Sequence, residues 1–182
     1  MLLYDRVVDE LRDGDLVLRA WTFDDVPAIA EACRDSEIAR WIPFVPVPYT
    51  QRDAAEYVEA CLAAAEGRYP LAMTAAGDDR LLGSIDLRVN VMRIGHIGYW
   101  VAREARGRGV CTHALRVLSR WALDELGLGR LELITDPDNH ASQRVAEKVG
   151  FKREAVLRSH LLYRDGRRTD SVMFSLLPGE LR

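Results

Sequence analysis

Arg106-Gly107-Arg108-Gly109-Val110-Cys111-Thr112 is the stretch that decides how this chain folds. Ahead of it runs Ile94 to Ala102, rich in the β-branched and aromatic residues that favour strands. Behind it Leu115, Leu118, Ala122 and Leu126 recur at helical spacing until Gly127. The stretch is therefore a strand-to-helix turn. Two glycines let its backbone curl and come close to a ligand. The first amides of the helix are unpaired and carry the positive end of its dipole, and Arg106 and Arg108 add charge beside them. This combination predicts an anion site, with phosphate the usual anion. A Walker loop needs Lys-Ser/Thr after its last glycine, but Val110-Cys111 follows Gly109. A dinucleotide fingerprint needs a third glycine where Thr112 stands, in a parallel βαβ unit that starts the domain. Both nucleotide readings are weak.

Outward from the loop, the turn Asp13-Gly14-Asp15 precedes a strand over Leu16–Arg19. A helix starts at Asp24-Asp25, with Pro27 tolerated in its first turn. Thr50-Gln51-Arg52-Asp53 has the form of a capping box, which predicts a helix through Ala65 that ends at Gly67. Strands follow over Tyr69–Ala75 and Leu81–Val89, joined by Gly77-Asp78-Asp79. Beyond the glycine-rich loop come a short strand over Leu131–Thr135 and a helix from Asn139 to Val149, stopped by Gly150. A hairpin then turns at Arg164-Asp165-Gly166-Arg167. The sum is a mixed α/β fold, with one central, mostly antiparallel sheet covered by helices on both faces.

The chain has 182 residues, 48% of them hydrophobic and 29% charged, which predicts a single domain over 1–182 with one sizeable core. A net charge of −3 gives no bulk attraction to nucleic acid or to an anionic membrane. Cys33, Cys61 and Cys111 are odd in number and far apart, so neither a disulfide framework nor a metal site is expected. The start of the chain has no apolar run of signal-peptide length, and no window reaches the ~20 apolar residues of a membrane helix. The expected location is cytoplasmic, as a monomer or a homodimer.

The loop resembles the Arg-x-x-Gly-x-Gly/Ala coenzyme A signature of the GNAT N-acetyltransferase superfamily. So do Ile97-Gly98-Tyr99-Trp100-Val101, Asn139-x-x-Ser142 and Glu147-Lys148-Val149-Gly150-Phe151. The resemblance covers nearly the whole chain, with Asp15 to Arg40 similar to the family's first strand and helix pair. It is nearest to the RimJ/RimL-like branch, which acetylates the N-termini of ribosomal proteins. It implies the GNAT fold, acetyl-CoA as co-substrate and no metal. Cys111 departs from the glycine or alanine usual at its place.

By motif position, the resemblance implies that the backbone of Tyr99, Trp100 and Val101 pairs with the pantetheine arm. It implies that Arg106, Gly107, Arg108, Gly109, Val110, Cys111 and Thr112 hold the pyrophosphate. Asn139 would meet the pantetheine end and Arg144 the adenosine side. The side chains of Tyr99 and Trp100 have packing as an equal reading, and Arg144 an ordinary solvated helix position. An amide near Trp100 or Val101 is the expected oxyanion donor.

The catalytic groups depart from the family pattern. Its thiolate-protonating tyrosine would fall at Ala146, which leaves Ser142 as the hydroxyl in reach; helix capping is the other reading of that serine. A glutamate often found on the cofactor strand is replaced by His96, and a neutral imidazole with a pKa of about 6.5 can take a proton near pH 7. Asp86, His160 and a water-relayed proton remain alternative bases. An α-amine, with a pKa of about 8 against about 10.4 for lysine, tolerates a weak base. Acceptor selection is expected from Trp41 and Phe44 in the loop Trp41-Ile42-Pro43-Phe44-Val45-Pro46, and from His160 in the final hairpin. A protein N-terminus is the expected acceptor, a small-molecule amine such as an antibiotic or polyamine the alternative. A non-catalytic acetyl-CoA sensor and another acyl donor such as succinyl-CoA also stay open.

Overall fold

The computed structural model describes residue 8 and residues 10–182. Its strands are β1 (Glu10–Asp13), β2 (Leu16–Arg19), β3 (Arg68–Ala75), β4 (Leu81–Val89), β5 (Ile94–Val101), β6 (Arg130–Thr135), β7 (Lys152–Leu162) and β8 (Arg168–Leu176). They form one sheet in the order β1-β2-β3-β4-β5-β6-β8-β7. Among the described residues only β5 and β6 pair in parallel. A parallel pair needs a long crossover, because a tight turn reverses the chain. The crossover from β5 to β6 contains the fifteen-residue helix α4 (Val110–Asp124) of the five that follow.

Helices α1 (Val26–Ala32), α2 (Ser36–Trp41) and α3 (Gln51–Leu62) lie on one face of the sheet. They close over a core of Trp21, Ile29, Ile38, Tyr49, Val58 and Ala72. On the other face α4 and α5 (His140–Val149) cover the larger core, built on Leu71, Met73, Ile85, Leu87, Leu115 and Phe174. Strand alternation divides the residues: Ile85, Leu87 and Ile97 enter the larger core, while Trp100 packs on the α1–α3 side. Helices on both faces of a mostly antiparallel sheet match the sequence expectation.

Three local departures have simple causes. The edge strand β1 was not expected, because Glu-Leu-Arg-Asp is too polar to show a strand pattern; its partner β2 supplies its ladder. Helix α3 stops at Leu62, not Ala65, since Ala63 leaves helical dihedrals and the chain turns into β3 through a bond from the Arg68 amide to the Ala65 carbonyl. Asp35 caps α2 by accepting from the Glu37 amide, a boundary that only the family resemblance had suggested. The capping box at Thr50 and Asp53 is present as read.

The feature that positions the site is a split in the sheet. Residues Ile94 to Ile97 of β5 pair with Arg130 to Leu133 of β6, and there the pairing ends. Strand β5 nonetheless runs on beside β4, from Gly98 opposite Asp86 to Val101 opposite Gly83. The Ala102 amide donates to the Leu82 carbonyl at 2.8 Å, and the Asn90 amide to the Ile94 carbonyl at 3.0 Å. Even-numbered backbone groups of β5 therefore face β4. By alternation, those of Tyr99 and Val101 face the gap left by β6.

Two tests of this frame follow from its geometry. A Cβ on Gly83 would lie 2.3 Å from the Trp100 carbonyl oxygen, a backbone atom with no room to move. Gly83→Ala is expected to cost about 1–3 kcal/mol, which a thermal melt reads as roughly 2–4 °C per kcal/mol; an unchanged melt contradicts the close approach. At the other end, the Arg130 guanidinium first, then the Ser175 hydroxyl, hold the Glu154 carboxyl down at about 2 against an ordinary 4.5. A depressed pKa stabilises the fold above about pH 4.5, and that contribution is lost as pH falls toward 2. Glu154→Gln should flatten acid destabilisation in this window, as measured by denaturant midpoints.

Candidate active site

The turn from β5 into α4 needs its glycines for their dihedrals. Gly107 and Gly109 sit at φ +72° and +80°, in the left-handed region, although a Cβ at either would meet no protein atom within 4 Å. Gly109 is the N-cap of α4, and the first helical bond runs from the His113 amide to the Gly109 carbonyl at 3.0 Å. The amides of Val110, Cys111 and Thr112 are thus left without an intrahelical acceptor. They open on a cavity of about 410 Å3. The Tyr99–Val101 edge forms one wall and Asn139, Ser142 and Arg144 of the α5 end form another. The phosphate-binding features and the free strand edge expected for coenzyme A therefore share one space.

The two arginines of the loop part company. Arg106 pairs through Nη1 with Asp35 at 2.6 Å, and its Nε donates to the Val101 carbonyl at 3.1 Å. Its guanidinium is a strut between the loop, α2 and β5, and Arg106 also lines the first cavity. Arg108 lines a neighbouring hollow with Asp15, Asp78 and His113. Across the cavity, Lys148 joins Arg144 on α5. Lys148 was missed, although its spacing of four from Arg144 puts both on one helix face.

A second cavity, of about 840 Å3, opens on the α1–α3 face. Both cavities are lined by Trp41, Ile42, Tyr99, Trp100, Asn139 and Ser142, so they meet where β5 leaves β6. At this junction the Tyr99 phenol oxygen lies 2.9 Å from Ser142 Oγ and 3.3 Å from the Ser142 carbonyl. Capping of α5 falls to Asn139, whose Oδ1 accepts from the Ser142 amide at 3.1 Å. Burial pushes the Tyr99 phenol well above its ordinary range, with Cys111 adding to the effect. The Cys111 thiol, which lines the first cavity, is likewise raised by burial. Ala146 is 0% exposed within the larger core, so it presents nothing to either cavity. The amides turned to the gap are those of Tyr99 and Val101, and the Trp100 amide faces β4.

The proposed bases fare differently. Asn90 Oδ1 accepts from the Met92 and Ile94 amides, so its side-chain NH2 is turned to His96 Nε2, 3.1 Å away. That makes Nε2 an acceptor and leaves the ring proton on Nδ1, which faces Glu132 Oε2 at 3.3 Å. His96 lines the second cavity with both nitrogens engaged. Asp86 lies on the same floor: its Oδ2 accepts from Arg88 Nε at 2.9 Å, with Arg68 Nε at 3.5 Å. Its Oδ1 is buried and finds no hydrogen-bond partner among the described residues. His160 lines neither of these two cavities; it sits exposed on β7 with Nδ1 3.0 Å from Ser171 Oγ.

The loop from Trp41 to Pro46 lines the second cavity. Trp41 closes the end of α2 under the Arg40 guanidinium, and Phe44 lines the second cavity while 87% exposed. Arg164, in the turn between β7 and β8, donates to the Pro43 carbonyl at 2.7 Å and ties the hairpin to this loop. Among the described residues no group of three or more His, Cys, Asp or Glu is placed to hold a metal ion. No helix there is long and apolar enough to cross a membrane.

Comparison with known proteins agrees with this geometry. A family model for the acetyltransferase (GNAT) domain matches residues 15–152, and the chain belongs to that family. "Putative ribosomal N-acetyltransferase YdaF" of Bacillus subtilis (strain 168) is 39% identical over 105 residues, which is 57% of this chain and 57% of that protein. The chain thus matches little more than half the length of this relative. A solved structure of "a putative ribosomal-protein-serine acetyltransferase from Vibrio cholerae" superimposes with a TM-score of 0.81 at 23% identity, over 96% of this chain and 99% of that one. The ribosomal α-N-protein acetyltransferase RimL, solved in complex with coenzyme A, gives a TM-score of 0.79 at 18% identity over 92% and 97%. At such identities the structural likenesses establish the fold.

The divided roles of the cations can be checked. Lys148→Ala should weaken coenzyme A binding by up to roughly fivefold, the scale of an exposed charge pair, with no change in melting temperature. Arg106→Ala should lower the melting temperature by releasing Asp35 and Val101. A stable Arg106→Ala protein with weakened binding would return Arg106 to the phosphate site.

Proposed function

We propose that this protein transfers the acetyl group of acetyl-CoA directly to a primary amine, and that the amine is the α-amine of a protein N-terminus. One observation carries the reading. The cavity that can hold coenzyme A meets the larger one at Tyr99, Trp100, Asn139 and Ser142, beside strand amides with no sheet partner. A thioester held along β5 would present its carbonyl carbon to an amine arriving from the α1–α3 face. Alignment of this kind contributes up to roughly 7–11 kcal/mol.

In this scheme the unpaired amides of Val110 to Thr112 hold the pyrophosphate, with Arg108, Arg144 and Lys148 around them. The Asn139 side-chain amide meets the pantetheine end. The Tyr99 or Val101 amide stabilises the tetrahedral oxyanion. The Ser142 hydroxyl donates to the sulfur as the carbon–sulfur bond breaks. Asp86 replaces His96 as the group that receives the amine, because its Oδ1 is unengaged while both His96 nitrogens have partners. An α-amine, with a pKa of about 8, is ~10% neutral at pH 7 and asks little of its base. The size of the second cavity and the ribosomal-protein names of the similar proteins support a peptide acceptor.

The test is a thiol-release screen with acetyl-CoA against peptides of varied N-terminal residue, polyamines and aminoglycosides. Peptides with free α-amines are expected to release thiol fastest and their N-acetylated forms not at all. Binding of acetyl-CoA without release to any amine would mark a sensor instead. Ser142→Ala is expected to lower the turnover number roughly tenfold to hundredfold, the scale of a hydrogen bond to a charged group at about 1.5–3 kcal/mol. Acetyl-CoA affinity should stay within a factor of about two, and unchanged turnover removes Ser142 from the chemistry.

A further inference from the structure

The tyrosine that the family resemblance places on α5 is Ala146 in this chain, yet a phenol from another element stands where the two cavities meet. Tyr99 arrives there from β5. We propose that Tyr99 is a positioning residue for Ser142: its O–H donates to Ser142 Oγ and so turns the serine proton toward the coenzyme A sulfur as it leaves the acetyl group. This rests on the role given to Ser142 above and adds to it a second hydroxyl that orders the first.

Three observations support it. The two oxygens are 2.9 Å apart, and both residues line both cavities. Tyr99 packs against the larger core, where a phenol oxygen is costly unless paired. The only hydrogen-bond partners it finds among the described residues are the two oxygens of Ser142. Phenylalanine would fill the same space without that demand.

The pair has two hydrogen orders. In one, Ser142 donates to the phenol oxygen while the phenol donates to the Ser142 carbonyl at 3.3 Å. In the other, the phenol donates to Ser142 Oγ and the serine proton is free for a third atom. Neutral protein without ligand favours the first order, which makes two bonds. A thiolate favours the second, because a hydrogen bond to a charged acceptor is roughly twice as strong as a neutral one. The long carbonyl bond is then exchanged for a short charged one.

The reaction balances without net change in either hydroxyl. The amine nitrogen forms the new C–N bond, and the C–S bond breaks with its electron pair on sulfur. The proton that the amine nitrogen loses neutralises the thiolate. Ser142 and Tyr99 end protonated, as they began. Burial holds the phenol proton on Tyr99 throughout, consistent with a donor that orients and does not ionise.

The decisive experiment does not need the acceptor. The thiol of bound coenzyme A is titrated by its ultraviolet thiolate absorbance in the wild type, Tyr99→Phe, Ser142→Ala and the double variant. Each titration is referenced to protein without ligand. The protein's own thiols are held up by burial, Cys33 at about 12 and Cys61 and Cys111 also raised. Ser142→Ala should raise the bound-thiol pKa by about one unit, a tenfold loss of thiolate preference, and Tyr99→Phe by a smaller amount. The double variant should match Ser142→Ala alone. Fluorotyrosine at position 99, a stronger donor of nearly the same shape, should lower the thiol pKa and keeps the test valid if phenylalanine disturbs packing. A shift for Ser142→Ala with none for Tyr99→Phe or fluorotyrosine overturns the role of Tyr99 alone. No shift for Ser142→Ala overturns the underlying role of the serine. Additive shifts in the double variant mean that Tyr99 acts independently, which also contradicts the proposal.

Discussion

Everything functional in this structure depends on two neighbouring strands parting. Strands β5 and β6 are paired through Ile97 and Leu133, and then β5 continues without a partner on that side. Unpaired strand edges are sites for an added extended chain, since their amides and carbonyls need partners. Here the edge is only a few residues long and its backbone groups alternate, so Tyr99 and Val101 are offered while Trp100 stays turned to β4. The same parting leaves the gap in which the two cavities meet. The glycine-rich turn stands at the far end of the edge, so an anionic group and an extended arm of one ligand can be held together.

Electrostatics divide the labour within this frame. Arg106 pairs with Asp35 and fixes the loop to α2, while Arg108, Arg144 and Lys148 stand around the loop with the helix dipole. In the second cavity, Asp86 is held between Arg68 and Arg88 with one oxygen to spare. His96 belongs to a different network, running through Glu132 to Arg130 and Glu154, which braces β5, β6 and the terminal hairpin. Residues of similar chemistry thus have separate duties set by their hydrogen-bond partners.

The sequence disclosed the architecture and the glycine-rich turn well, because both rest on local signals. Gly107 and Gly109, the strand before them and the apolar stripe after them are all visible in the thirty-three residues from Ile94 to Leu126. The polar edge strand β1 was hidden by its lack of alternation. The catalytic groups were harder, since their roles depend on side chains from distant elements. Nothing in the order of residues shows that Asn90 occupies one nitrogen of His96, or that Val101 and Asp35 together engage Arg106. Nor could strand parity be known before the register was, so the amide facing the gap was placed at Trp100 as readily as at Val101. Tyr99 and Ser142 are forty-three positions apart, and only the crossover through α4 and β6 brings their hydroxyls together.

The central claim is that acetyl-CoA completes the open edge of β5. Amide hydrogen exchange of the protein with and without acetyl-CoA tests it residue by residue. The amides of Tyr99 or Val101 and those of Val110 to Thr112 should slow on binding, while the Trp100 amide, already turned to β4, should change little. Binding that leaves the β5 edge and the loop unprotected would contradict the account.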